Sequence, residues 1–424
     1  MKQGYLSQYF EGVAAKWLSA VEADLLTSNQ HEFQGVEQLT SILGEPIGKQ
    51  KFASRVLYLD DSEEQVPIED AIFTWYDTRA GERARGGMRG TGRLRWEYRL
   101  YFPTTTASLR AKTGDLLVIA KQKNNELLVL VAAQGTNIAG QIQWLLGFQN
   151  LPARQFSVKD EFDNESDKVF FASKLILDAI GVVVESTAQE YLGQMLDKFK
   201  GRFPTTRIFS EFARDTINTI DCCEDPDFAL VQWMNWEEEL FLTLERHLIS
   251  DRLKQGFCSG VDGNADVKEF LDFSLSVQNR RKSRVGLAFE NHLEYLFLKN
   301  GLLFSRTATT ENKSKPDFLF PGAEQYRDAH FRDDRLFMLG AKSTCKDRWR
   351  QVLAEANRIE TKHLITLEPS ISPSQTTEMR TKGLQLVVPK EIQKSYASEQ
   401  QKWLMDVRSF ILLVKSSERV DANE

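Results

Sequence analysis

Two segments decide the fold of this chain: Lys315-Pro-Asp-Phe-Leu-Phe320 and Leu336-Phe-Met-Leu-Gly-Ala-Lys342. Each is an apolar run of strand length, too short for a helix, and each carries a charge at one end. Asp317 opens the first and Lys342 closes the second. Working outward, the pattern predicts a helix over 283–299, strands over 316–320 and 336–343, a helix over 347–361, and strands over 363–368 and 384–388 before a terminal helix. Helices alternating with short strands from about Gly201 onward predict an α/β layer fold.

Two polar groups on adjacent buried strands need a reason, and metal-dependent phosphodiester hydrolysis supplies one. Carboxylate oxygens hold Mg²⁺, the ion neutralises developing charge and lowers the pKa of an attacking water, and a lysine alongside stabilises or orients it. This chemistry asks for another acid. In the common nuclease pattern, PD-(D/E)XK, that acid stands two residues before the lysine, where this chain has Gly340. A substitute is Glu355, thirteen residues after Lys342 and seven, about two helical turns, after Arg348, so that Arg348 and Glu355 share a face of the expected helix. The same segment opens with Lys346, Asp347 and Arg348, which can read guanine and cytosine edges, because cationic donors match guanine and a carboxylate accepts from cytosine.

The N-terminal part reads as strands: RVLYL from Arg55, AIFTWY from Ala71, LRWEYRLYF from Leu94, DLLVIA from Asp115 and ELLVLVAA from Glu126, a spacing that predicts a sandwich or barrel. In the third of these Leu94, Trp96, Tyr98, Leu100 and Phe102 point to one face and Arg95, Glu97 and Arg99 to the other. Before it Arg79, Arg83, Arg85, Arg89 and Arg93 lie among glycines, a positive loop suited to a phosphate backbone. Leu6, Phe10, Val13, Trp17 and Val21 fall at helical intervals and predict a packed N-terminal helix rather than a signal sequence. An acidic stretch from Lys159 and helical periodicity over 169–200 read as a linker with connecting helices, or as part of a flanking domain.

Composition sets the bounds. At 424 residues, with 42% hydrophobic and 27% charged residues, the chain has room for two or three domains and lacks the signature of disorder. Its net charge of -6 means that nucleic-acid contact must rest on local basic segments. The four cysteines form no zinc-ligand spacing, and no apolar run approaches the roughly 18 residues that span a bilayer, so a cytoplasmic protein with no membrane partner is expected.

From about Arg202 to Lys415 the chain closely resembles the catalytic domain of the EcoRII restriction endonuclease family. The resemblance is carried by Asn279-RRKSRVG, Glu290-NHLEYLF, Lys315-PDFLFP, Tyr326 and Lys342-STCKDRWRQVLAEANRI. In that family the second acid is shifted to a helix. The resemblance implies a Mg²⁺ site held by Asp317 and Glu355, Lys342 as catalytic lysine, Tyr326 at a position implicated in the active site, and base contacts from Lys346, Asp347 and Arg348. It is much weaker in the N-terminal region, through Thr74-WYDTR, the arginine-rich loop and Arg95-WEYRLYF, where it implies an effector-DNA-binding pseudobarrel that autoinhibits the nuclease. The resemblance also implies a homodimer, since a palindrome cut on both strands needs two active sites related by a two-fold axis. The domains expected are 1–155 for effector DNA, 156–200 for the linker and 201–424 for catalysis, and the site expected is a C/G-rich palindrome of the CCNGG or CCWGG class.

Several residues carry two readings. Glu355 could pair with Arg358 or Lys362 on a helix surface; Glu290 either is solvated or holds a metal-bound water; Arg280, Arg281, Lys282 and Arg284 form a solvated helix start or follow phosphates. Trp233 and Trp236 belong to a core stripe with Leu240, Phe241 and Leu244, or one of them stacks on a flipped base. The five histidines suggest no chemistry. Two other functions stay open, a modification-dependent nuclease and a DNA-binding regulator with a dead nuclease fold.

Overall fold

The computed structural model describes residues 5–23, 31–62, 66–81, 88–89, 92–93, 96–148, 150–152, 155–162, 171–182, 188–217, 220–259, 264–345 and 348–418. They divide into two compact units, Met1–Val184 and Glu185–Glu424. The stretch 156–200 is shared between them: strand Ser157–Lys159 and helix Phe171–Ala179 fall in the first, helix Leu192–Phe199 in the second.

The first unit is built on one mixed eight-stranded sheet. Its spatial order is Ser157–Lys159, Phe10–Trp17, Leu116–Gln122, Leu127–Ala132, Gln50–Leu59, Glu69–Asp77, Tyr98–Tyr101 and Glu32–Phe33. The order has two ends, and no ladder joins them among the described residues. Both faces are covered, which is why the central strands read as unbroken apolar runs. Leu116, Val118 and Ala120 pack with Ile142 and Ile176 on one side, while Leu117 and Ile119 pack with Phe52, Phe73 and Trp75 on the other.

Two expectations for this unit fail. The N-terminal helix is instead the strand Phe10–Trp17, in which Val13, Ala14 and Ala15 are wholly buried, so spacing on one helical face had no meaning for a segment covered on both sides. Gly12 is required there, because an added Cβ would lie 2.2 Å from Ile42. The strand expected from Leu94 is Tyr98–Tyr101, with Trp96 half exposed rather than inward.

The second unit carries a five-stranded sheet in the order Ser305–Arg306, Phe318–Phe320, Phe337–Ala341, Lys362–Ile365 and Leu384–Val387. The first two pairings are antiparallel and the last two parallel. Aromatic rings tie the long helix to the sheet: Phe297 meets Phe318 and Phe320 edge-on at 5.2 and 5.4 Å, and Phe410 of the terminal helix lies 5.6 Å from Phe320. Strands fall where the sequence put them, to within a few residues. Two helices do not.

The helix expected at 283–299 begins at Val267, where Asp266 caps the Glu269 N–H at 2.9 Å. The charge run therefore lies in its interior, against helix Pro226–Gln255. Arg284 is buried between Glu237 and Glu238 with its guanidinium 4.0 Å from the Phe241 ring, and Arg281 reaches Glu245 at 2.6 Å. Burial pulls the Arg284 guanidinium down to about 10. The helix expected at 347–361 is only the turn Trp349–Val352, and Glu355 lies beyond it, so the shared helical face of Arg348 and Glu355 does not exist.

Candidate active site

Asp317 immediately precedes strand Phe318–Phe320, and Lys342 immediately follows strand Phe337–Ala341. Antiparallel pairing, with Phe318 opposite Leu339, brings the two ends together. Asp317 Oδ2 accepts from the Ala341 N–H and from Lys342 Nζ, both at 2.7 Å. Lys342 also donates its N–H to Ile365 O at 3.0 Å, so its backbone is fixed from the opposite side. The two side chains keep 14% and 20% exposure, enough to meet a substrate while staying ordered.

Gly340 explains why no acid stands at the usual place. A Cβ there would lie 2.9 and 3.2 Å from the Val352 methyls, the first closer than real Cβ contacts come. The bare backbone lets Val352 pack directly on the sheet and draws the following segment over it. Glu355 arrives by that route. Its Oε2 is buried with no hydrogen-bond partner among the described residues, and its carboxyl is pushed up to about 7, first by burial and then by the negative charge of Asp317, against the opposing pull of Lys342 and Lys362. The surface pair weighed for Glu355 is not formed: Arg358 is engaged by Asp333 and by the carbonyls of Asp328 and Phe331, and Lys362 Nζ caps Ala356 O at 2.8 Å.

Glu290, on the long helix, is raised by burial and by Asp317, and is held by Arg306, whose guanidinium lies 2.7 Å from it and 2.6 Å from Glu294. Tyr326 is buried, but its hydroxyl donates to Glu311 at 2.6 Å and accepts from the Arg358 N–H at 3.3 Å. Burial, with the bond to Glu311, pushes the phenol up to about 12, so it stays a donor. Sequence reasoning missed Arg306 and Glu311, neither of which lies in a motif, and weighed Lys362 only as a surface partner of Glu355.

Among the described residues no three acid, imidazole or thiol side chains form a ready cage. The donor chemistry nevertheless fits a hard divalent cation. Two carboxylates repel each other across a site where one oxygen is an orphan, and Mg²⁺ binds through one or two carboxylates with waters and substrate oxygens completing its shell. Asp317 and Glu355 are the residues that would hold it.

Of the expected DNA contacts, Lys346 and Asp347 lie outside the described residues. Arg348 is exposed, its N–H bound to Cys345 O at 2.8 Å, and the Cys345 N–H donates to the buried carboxylate of Glu368. Lys282 is exposed and Arg280 covers the Phe203 ring at 4.2 Å. Arg284 faces inward, so it cannot follow a phosphate as expected. In the first unit Arg83, Arg85 and Arg95 lie outside the described residues, and Arg89 and Arg93 belong to a two-stranded ribbon whose side chains are not described. Arg79 pairs with Glu97, and Arg99 with Glu97 and Glu32.

Residues 241–411 match the family model described as EcoRII C terminal. Over 188 residues, 44% of this chain and 45% of the relative, the chain is 44% identical to the type II restriction enzyme EcoRII of Escherichia coli. It is 31% identical over 111 residues to the type II restriction enzyme SsoII of Shigella sonnei, covering 24% of this chain and 35% of that one. The matches thus span less than half the length of either relative. Among solved structures, metal-depleted Ecl18kI in complex with uncleaved, modified DNA aligns over 57% of this chain and 87% of its own at 19% identity and TM-score 0.45. The restriction endonuclease PspGI–substrate DNA complex aligns over 51% and 93% at 14% identity and TM-score 0.41. In the stretch 241–411 this chain is thus similar to the C-terminal part of EcoRII-type restriction endonucleases.

Proposed function

We propose that this protein is a type II site-specific deoxyribonuclease that hydrolyses both strands of double-stranded DNA at a short C/G-rich palindrome of the CCNGG or CCWGG class. The observation that carries the reading is the meeting of Asp317, Lys342 and an unpartnered Glu355 carboxylate at one end of the sheet. Bound Mg²⁺ would supply charge neutralisation at the scissile phosphate and acidify the attacking water. Asp317 and Glu355 would hold it, and Lys342, kept on the site by its bond to Asp317, would donate to the developing charge. Arg306 holds Glu290 in place beside them, where its carboxyl can fix a water by hydrogen bonding. Lys346, Asp347 and Arg348 read bases, and Arg280, Arg281 and Lys282 add phosphate contacts.

The remainder of the proposal concerns the assembly. Two copies act as a homodimer on a palindrome, and the first unit, a pseudobarrel in its family form, binds a second effector DNA through the arginine-rich loop and so lifts autoinhibition. The compartment is cytoplasmic; no helix among the described residues is long and apolar enough to cross a membrane. Purified protein with Mg²⁺ should cut DNA carrying the site, and Asp317→Ala should bind that DNA without cutting it. Cleavage unchanged by the substitution would remove the assignment.

A further inference from the structure

We propose that Glu311 is a positioning residue, which holds Glu355 in its metal-binding pose by clamping the turn that follows it. The proposal rests on the metal-site reading above. Its starting point is Ala356, next to Glu355, which is buried with φ +48°. A left-handed backbone is unfavourable for any residue with a Cβ, and persists only where the surroundings over-determine it.

Those surroundings are in place. The Ala356 N–H donates to Thr310 Oγ1 at 3.4 Å, the Asn357 N–H to Glu311 Oε2 at 3.2 Å, and the Arg358 N–H to the Tyr326 hydroxyl at 3.3 Å. From the other side Lys362 Nζ binds the carbonyls of Ala356, at 2.8 Å, and of Ile359. Three successive N–H groups are thus held by side chains from outside the turn. Glu311 Oε2 is the hub, since it also accepts from the Tyr326 hydroxyl at 2.6 Å and so fixes the third acceptor.

Glu311 is suited to this by charge. Burial pushes its carboxyl up, yet the bonds from Tyr326 and from backbone N–H groups outweigh that and bring it below its usual range, so it is ionised at neutral pH. None of its hydrogen bonds goes to Asp317, Lys342 or Glu355. The clamp also accounts for Tyr326, whose hydroxyl is committed to Glu311 and Arg358 and serves the turn rather than the phosphate.

The test is Mn²⁺ binding by the full chain without DNA, read from the electron paramagnetic resonance signal of the free ion, with melting temperature recorded alongside. Glu311→Ala should weaken Mn²⁺ binding about tenfold or more, the size of loss typical when outer hydrogen bonds behind a ligand are removed. Glu311→Gln, which keeps an acceptor oxygen, should recover part of it. Ala356→Gly placed in the Glu311→Ala background should recover most of it, because glycine takes the left-handed backbone without steric cost. In cleavage assays Glu311→Ala should raise the half-saturating Mg²⁺ concentration while leaving the rate at saturation within about twofold. Wild-type Mn²⁺ affinity in Glu311→Ala, or no recovery from Ala356→Gly, overturns the clamp. Wild-type affinity in Glu355→Gln overturns the metal site beneath it, and the clamp with it.

Discussion

Glu355→Gln is expected to stabilise the metal-free protein even though it removes a proposed metal ligand. The Glu355 carboxyl is pushed from its ordinary 4.5 to about 7, by burial first and by Asp317 second. A carboxyl whose pKa rises on folding holds its proton more tightly in the native state. Its charge therefore costs stability in full above about pH 7, and the cost fades as pH falls towards 4.5. At about 1.4 kcal/mol per unit the ceiling is about 3 kcal/mol. Glu355 keeps some solvent exposure, and glutamine retains a buried amide, so we expect a gain of about 1–2 kcal/mol at pH 8. The assay is urea unfolding in the presence of a chelator at pH 8 and pH 5. The variant should be the more stable at pH 8, most of its advantage should vanish at pH 5, and saturating Mg²⁺ should reverse the order by stabilising the wild type alone. A variant no more stable than wild type at pH 8, or an advantage independent of pH, refutes the claim that Glu355 is a strained charge waiting for a cation.

Three further outcomes are expected. Gly340→Asp should not restore the usual motif but cost about 1–3 kcal/mol in urea unfolding, because its Cβ meets Val352, and Val352→Ala in the same chain should return part of that loss. The apparent dissociation constant for Mg²⁺ should rise about tenfold per pH unit below pH 7, as protons compete for Glu355, and stay nearly flat above pH 8. Arg284→Ala should cost about 3–5 kcal/mol by leaving the buried Glu237 carboxylate without the guanidinium that pairs with it, whereas Lys282→Ala should leave stability unchanged and weaken DNA binding, with a salt slope smaller by about one.

The strands carrying Asp317 and Lys342 were legible because their charges sit at the ends of apolar runs, where a strand must stop being buried: Asp317 before Phe318 and Lys342 after Ala341. Glu355 was legible only through the gap at Gly340, and its route was misjudged. A left-handed Ala356 held by Thr310, Glu311 and Tyr326 ends any helix there, and those contacts join residues 32 to 46 positions apart that no local pattern connects. Arg284 was misread for the same reason, since Glu237 and Glu238 lie on a different helix. Phe10–Trp17 misled differently: a strand covered on both faces has no alternation, and chance spacing of large residues then imitates a helix.

The central claim is that Asp317 and Glu355 would hold one divalent ion beside Lys342. Anomalous diffraction from crystals soaked in Mn²⁺ tests this most directly. We expect a peak about 2.1 Å from an oxygen of each carboxylate. A peak bound elsewhere, or one that touches Asp317 and leaves Glu355 turned away, would contradict it.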